Sequence, residues 1–164
     1  VTASGSLGVM AADRLTEEGL DFAELSSSKL SRLREMTPPW MNLQNPLDVG
    51  PSGLFGEAMN VALEAPEVDA VLAFPVIPWA VVSSLLRENP AAVESMFVDR
   101  AVLEKAASQK PVIVSVPGHP EWREVCGRSV FPHVPIVSTP QAAASALGTL
   151  YRYGRWRKGQ GISC

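Results

Sequence analysis

The segment VTASGSLG sets the hydroxyls of Thr2, Ser4 and Ser6 beside glycines 5 and 8, directly ahead of Leu7, Met10, Ala11 and Leu15 at helical spacing. That order reads as the end of a strand, a tight turn and the start of a helix. Glycine lets a backbone turn sharply and approach a ligand closely, and serine hydroxyls cap helices. The unpaired N–H groups of a first helical turn, together with the macrodipole, make an anion site. The chemistry offered is the holding of a phosphate, although a βα turn without a ligand shows the same spacing. No Gly-Lys-Ser/Thr follows and G-x-G-x-x-G is absent, so neither a P-loop nor a dinucleotide fingerprint is present.

A second segment, NPLDVG from Asn45 to Gly50, falls on the same rim. Pro46 restricts Asn45 to an extended backbone from which its amide can project. Asp48 can cap the following region or bond to the first loop, and a lone Asp at a turn is more often a cap than a catalyst. His119, in PGHPE, follows an apolar strand pattern and has no evident carboxylate or nucleophile partner, which reads as a loop residue. His133 precedes a strand at the opposite edge, and Cys126 reads as a helix-face thiol. No nucleophile, base and orienting group come together, so the chain itself reads as a binding domain with no catalytic residue of its own.

These residues need elements to position them. VDAVLAFPV (68–76), PVIVSVPG (111–118) and VPIVST (134–139) are apolar runs of the kind found in strands covered on both faces. FAEL (22–25) and PLDV (46–49) are weaker strand candidates. Helical patterns cover 7–19 with a stop at Gly19, 27–36, 54–65, 91–108 after an Asn89 cap and Pro90, and 140–155 after a Thr139 cap. The stretch PVIPWAVVSSLLRENP reads as a loop with a short helix over the strand edge. Alternating strands and helices predict an α/β fold, a flavodoxin-like doubly wound parallel sheet of about five strands in three layers. The first strand would end at Val1 and Thr2, which suggests a domain cut from a longer protein. The exposed edge that such a cut leaves would allow a homodimer.

The 164 residues, 46% hydrophobic and 19% charged, suit one compact domain. A net charge of −3 argues against nucleic acid or an anionic membrane as a partner. The exception is a basic tail at 157–164, set apart from a domain at 1–156. Cys126 and Cys164 are too few and too distant for a disulfide framework or a metal site, which points to the cytoplasm. No apolar run approaches the ~20 residues of a membrane span.

The ordered set of motifs resembles the carboxy-terminal flavodoxin-like ligase–CoA domain of NDP-forming acyl-CoA synthetases, relatives of succinyl-CoA synthetase. The matching residues are Thr2, Ser4, Gly5, Gly8 and Ala11 to Asp13, then Gly19, then Asn45, Pro46 and Asp48. Val68 to Leu72, Lys110 to Ile113, and Ala146, Leu147, Leu150, Tyr153 and Trp156 continue the series across essentially the whole chain. The resemblance implies a ligase that makes an acyl-CoA from an acid, CoA and ATP or another nucleoside triphosphate through a phosphorylated histidine. It implies that Thr2, Ala3, Ser4, Gly5, Ser6, Gly8, Asn45 and Asp48 hold the phosphohistidine or phosphate. The histidine, CoA-binding and ATP-grasp domains or subunits are then partners, and no cofactor is bound tightly here.

The chain departs from the family pattern at Ala3, Ser6 and Leu7, where Asn, Gly and often Pro stand. A Cβ at position 6 blocks the closest backbone approach if the loop needs a positive φ there. Two alternatives therefore stand beside the ligase. One is a catalytically silent regulatory or scaffold domain of a CoA-ligase-like protein or acetyltransferase. The other is a free-standing flavodoxin-like module that binds a small phosphate ligand.

Overall fold

The computed structural model describes residues 1–39, 41, 43–89, 91, 93, 97 and 99–161. In chain order these give α1 (Gly5–Glu17), α2 (Ser27–Met36), α3 (Phe55–Glu64), β1 (Val71–Ala73) and α4 (Trp79–Glu88). There follow α5 (Arg100–Ala107), β2 (Val112–Ser115), α6 (Pro120–Val125) with a π-helical turn over Cys126–Val130, β3 (Ile136–Val137) and α7 (Pro140–Gly159).

The three strands are parallel in the order β1-β2-β3. Thr2 extends this sheet by single parallel bridges to Phe74 on one side and Asp48 on the other. Counting those bridges, the order of chain segments is 2-1-3-4-5, that of a flavodoxin-like sheet. The α/β class is therefore the one expected, but the sheet has three strands among the described residues where about five were expected. Pro46 has no N–H to give a ladder, and the turn at Gly50 to Gly53 ends the pairing of the PLDV segment after one bridge. FAEL forms no strand: Phe22 and Glu24 are exposed, and no backbone ladder pairs with it among the described residues.

All residues of β1 and β2 are buried, as their apolar runs require in a sheet covered on both faces. On one face lie α2, α3 and α5; α3 presents Phe55, Ala58, Met59 and Ala62 in one helical stripe to this larger core. On the other face α1 packs against α7, with Ala11 beneath and Ala143 and Ala144 of α7 completing a small-residue contact. The α1 stop at Gly19 forms as predicted. Gly19 has φ +73, its N–H donates to Thr16 O and Leu20 N–H to Leu15 O, a Schellman closure.

Other boundaries differ. Asn89 is the C-cap of α4, its N–H on Leu85 O, so the expected cap role belongs to Asp99, which accepts from Ala101 and Val102 N–H. Pro90 and several residues at the start of the predicted 91–108 helix lie outside the described residues, and its second half is α5. PVIPWAVVSSLLRENP holds the ten-residue α4, longer than a loop with a short helix. The Thr139 cap is present, accepting from Ala142 N–H at 3.2 Å, and α7 runs on through Gly159 into the basic tail. No helix among the described residues is long and apolar enough to cross a membrane.

Candidate functional site

Thr2 is fully buried and carries the chain from the sheet into α1. Its N–H donates to Leu47 O at 2.9 Å and its carbonyl accepts from Val49 N–H at 3.0 Å, while Ala3 N–H reaches Phe74 O at 3.2 Å. From here α1 turns to the α7 face. The chain leaving β1 turns through α4, whose Val82 joins the opposite core. The loops thus part to opposite faces at the carboxyl ends of the strands, the place where α/β sheets bind ligands.

The Thr2 hydroxyl accepts from Ser4 N–H at 2.9 Å and donates to Ser4 O at 2.8 Å, which fixes the turn. Ser4 is the N-cap residue, but neither serine hydroxyl caps the helix as expected; Ser4 Oγ and Ser6 Oγ bond to each other at 3.1 Å. Leu7 and Gly8 N–H groups both turn back to Ser4 O. The Gly5 and Ser6 N–H groups have no partner among the described residues, and both residues are exposed. Two free donors and two hydroxyls thus gather at the positive end of a 13-residue helix.

Both glycines are needed for close approach. A Cβ on Gly8 would stand 3.1 Å from Thr2 Cγ2 and 3.2 Å from Pro46 Cβ, and one on Gly5 would stand 2.7 Å from Asp48 Oδ2. Asp48 Oδ1 accepts from Gly50 N–H at 2.9 Å, so its second oxygen is held against the loop. Thr2 to Gly8 and Asp48 therefore come together. Asn45 is turned elsewhere: its Nδ2 donates to Ala23 O at 3.1 Å. Asp48, a carboxylate, offers an anion no donor; it positions the loop.

The sequence places His119 at the carboxyl edge, but its partners there were not legible. His119 stacks on Trp79 with ring centroids 4.8 Å apart and planes 4° from parallel, and its Nδ1 lies 3.4 Å from the Glu121 carboxylate. The partner that His119 was thought to lack stands two residues away in PGHPE. Trp122 Nε1–H donates to Pro75 O at 3.1 Å and ties α6 to the loop after β1. Ser115, at the carboxyl end of β2, is fully buried with Oγ unpartnered among the described residues. Cys126 is buried too, and desolvation pushes its thiol up, in keeping with a thiol packed on a helix face.

The profile of the Ligase-CoA domain matches residues 1–161 of this chain. Among curated proteins, the chain is 24% identical over 165 residues to the alpha subunit of acetate–CoA ligase (ADP-forming) I from Pyrococcus furiosus, covering 96% of itself and 32% of that subunit. It is 31% identical over 81 residues to the alpha subunit of the ADP-forming enzyme II of that organism, covering 48% of itself and 18% of that subunit. The chain thus spans a third or less of these relatives. Among solved structures, the dinucleotide-forming acetyl-coenzyme A synthetase 1 of Ca. Korarchaeum cryptofilum has the same fold in its apo form, with TM-score 0.70 and 24% identity over 99% of this chain and 35% of that one. Its complex with phosphate and ADP gives the same TM-score and identity, over 99% of this chain and 34% of that one.

Proposed function

The chain belongs to the Ligase-CoA domain family, and from that footing we propose that it serves as one domain of an NDP-forming acyl-CoA synthetase. In this reading the Thr2–Gly8 turn and the start of α1 hold a phosphoryl group while it is carried on a histidine of another domain or subunit. CoA and ATP, or another nucleoside triphosphate, are bound by those partners. The observation that carries the reading is the pair of unpartnered, exposed N–H groups of Gly5 and Ser6 on the carboxyl edge of the sheet.

A phosphoryl group brings about −1.5 to −2 charges. Neither Thr2 to Gly8 nor Asn45 to Gly50 contains Lys or Arg, so oriented N–H groups and hydroxyls do the holding. A helix end contributes ~0.3–1 kcal/mol to an exposed anion and up to ~2 kcal/mol when partly buried. Such a site steadies a phosphoryl group in transit without trapping it. Asp48 adds a like charge beside Gly5, which favours brief residence.

That same carboxylate favours a second reading, a silent scaffold domain of a CoA-ligase-like protein. The test is to incubate the full-length protein, with any partner subunit, with γ-labelled ATP. Acid-labile, base-stable protein phosphate that CoA plus an acid discharges is the outcome the ligase reading requires. Its absence from folded protein would leave the scaffold.

A further inference from the structure

The loop that leaves β2 carries a second group of donors on the carboxyl edge, apart from the glycine turn. It turns through Gly118, with φ +98, into α6. Arg123 of α6 bends back to the strand end, where its Nε–H donates to Val116 O at 3.3 Å. Its neighbour Trp122 is tied to Pro75 O after β1 at 3.1 Å. The loops leaving β1 and β2 are thus locked together, and donors mounted on them are in place before a ligand arrives.

Arg123 is half-buried, yet no carboxylate pairs with it among the described residues. The carboxylates beside it in α6 are committed elsewhere: Glu121 lies 3.4 Å from His119 Nδ1, and Glu124 pairs with Arg128 one turn on. With Nε–H spent on Val116 O, the two terminal amino groups of the guanidinium fork keep their donors for a ligand. His119 adds a further donor. Arg123 N–H donates to His119 O at 3.3 Å, one helical turn back, the spacing that sets two side chains on one face. The imidazole is stacked on Trp79 with Nδ1 turned to Glu121, so Nε2 is the nitrogen left for a ligand. Glu121 balances an imidazolium, and the charge of Arg123 stays unbalanced.

We propose that Arg123 and His119 form a binding site for a phosphate group. The fork offers parallel N–H donors to two of its oxygens, and His119 Nε2–H offers one to the third. A carboxylate has only two oxygens and would leave the imidazole donor unmet, so a phosphate suits the set better. Thr2 and β2 flank β1 on opposite sides, which puts the two sites two strand spacings apart, about 10 Å. A single phosphate does not reach both, so this site is separate from the donors of Gly5 and Ser6.

The test is residue-specific chemical modification of the full-length protein, read by peptide mass spectrometry. Phenylglyoxal reports on Arg123 and diethyl pyrocarbonate on His119, with the exposed Arg87 and His133 as references outside the site. Inorganic phosphate, added until its effect saturates, should slow modification of Arg123 and His119 about tenfold or more and leave the references unchanged. ADP is the probe for a phosphate ester: protection by phosphate alone identifies free phosphate as the ligand, and protection by ADP identifies an ester. Modification that neither of them slows would overturn the site, and so would equal protection by acetate at the same ionic strength. Arg123→Gln keeps a donor for Val116 O and removes the fork. Phosphate should then no longer shield His119, and shielding that persists in this variant would overturn the pairing of the two residues.

Discussion

The Asp48 carboxylate closes on Gly5 so tightly that a Cβ on Gly5 would lie 2.7 Å from Oδ2. The segment that follows cis Asn45–Pro46 and the turn that starts α1 therefore behave as one unit. A methyl group at Gly5 meets the end of a side chain, which can rotate, and meets no backbone. Gly5→Ala should cost about 1 kcal/mol, the low end of overpacking. Urea denaturation checks this, and loss of the Asp48–Gly50 bond should show as a downfield-to-upfield change at the Gly50 amide proton.

Thr2→Val tests the hydroxyl that fixes the turn. Valine keeps the shape but leaves Ser4 N–H and Ser4 O without their partner at a fully buried position. A loss of about 1–3 kcal/mol is expected from unmet polar groups, measured by the shift in urea midpoint at unchanged slope. Thr2→Ser, which keeps the hydroxyl, should bind its partners in the same way and lose less.

Gly148→Ala sets helix propensity against packing. In an open helix that change gains up to ~1 kcal/mol. Here the new Cβ would stand 2.7 Å from Glu18 Cβ, at the contact of α1 with α7. Overpacking wins, and the variant should be less stable by about 1–3 kcal/mol. Gly154→Ala, in the same helix with nothing within 4 Å of its added Cβ, should be neutral or stabilising.

Glu18 gives the fold a pH dependence. Its carboxylate is tucked beneath the guanidinium of Arg152, whose hydrogen bond holds it below its ordinary 4.5, with Arg14 adding to the effect. A carboxylate depressed in the folded state stabilises above its unfolded pKa and loses that contribution as pH falls through the folded one. Glu18→Gln should therefore lower the melting temperature at neutral pH, with the gap to the parent narrowing as pH falls below 4.5. A gap that stays constant down to pH 2 would contradict the pairing.

The layers and helices were legible where spacing carries the signal. The apolar runs at β1 and β2 and the helix over Ser27–Met36 lie where the pattern put them. The Gly19 stop and the Thr139 cap needed only one residue type each. The short pairing of Thr2 with Asp48 was not legible as a bridge, since PLDV has strand-like residues and its pairing is cut by a turn beyond it. In the site, Thr2, Gly5 and Gly8 announced a turn, but Asn45 bonding to Ala23 depends on a contact 22 residues away. The stacking of Trp79 on His119 likewise joins two strand ends that only the fold brings together.

The central claim is that the first turn of α1 holds a transferred phosphoryl group, and Gly5→Val in the full-length protein tests it most directly. Phosphoprotein formed from γ-labelled ATP would be measured alongside circular dichroism of the same samples. The account predicts a folded variant whose labelling falls at least about tenfold, equivalent to ~1.4 kcal/mol of lost stabilisation. A folded Gly5→Val protein that labels and discharges like the parent would contradict it.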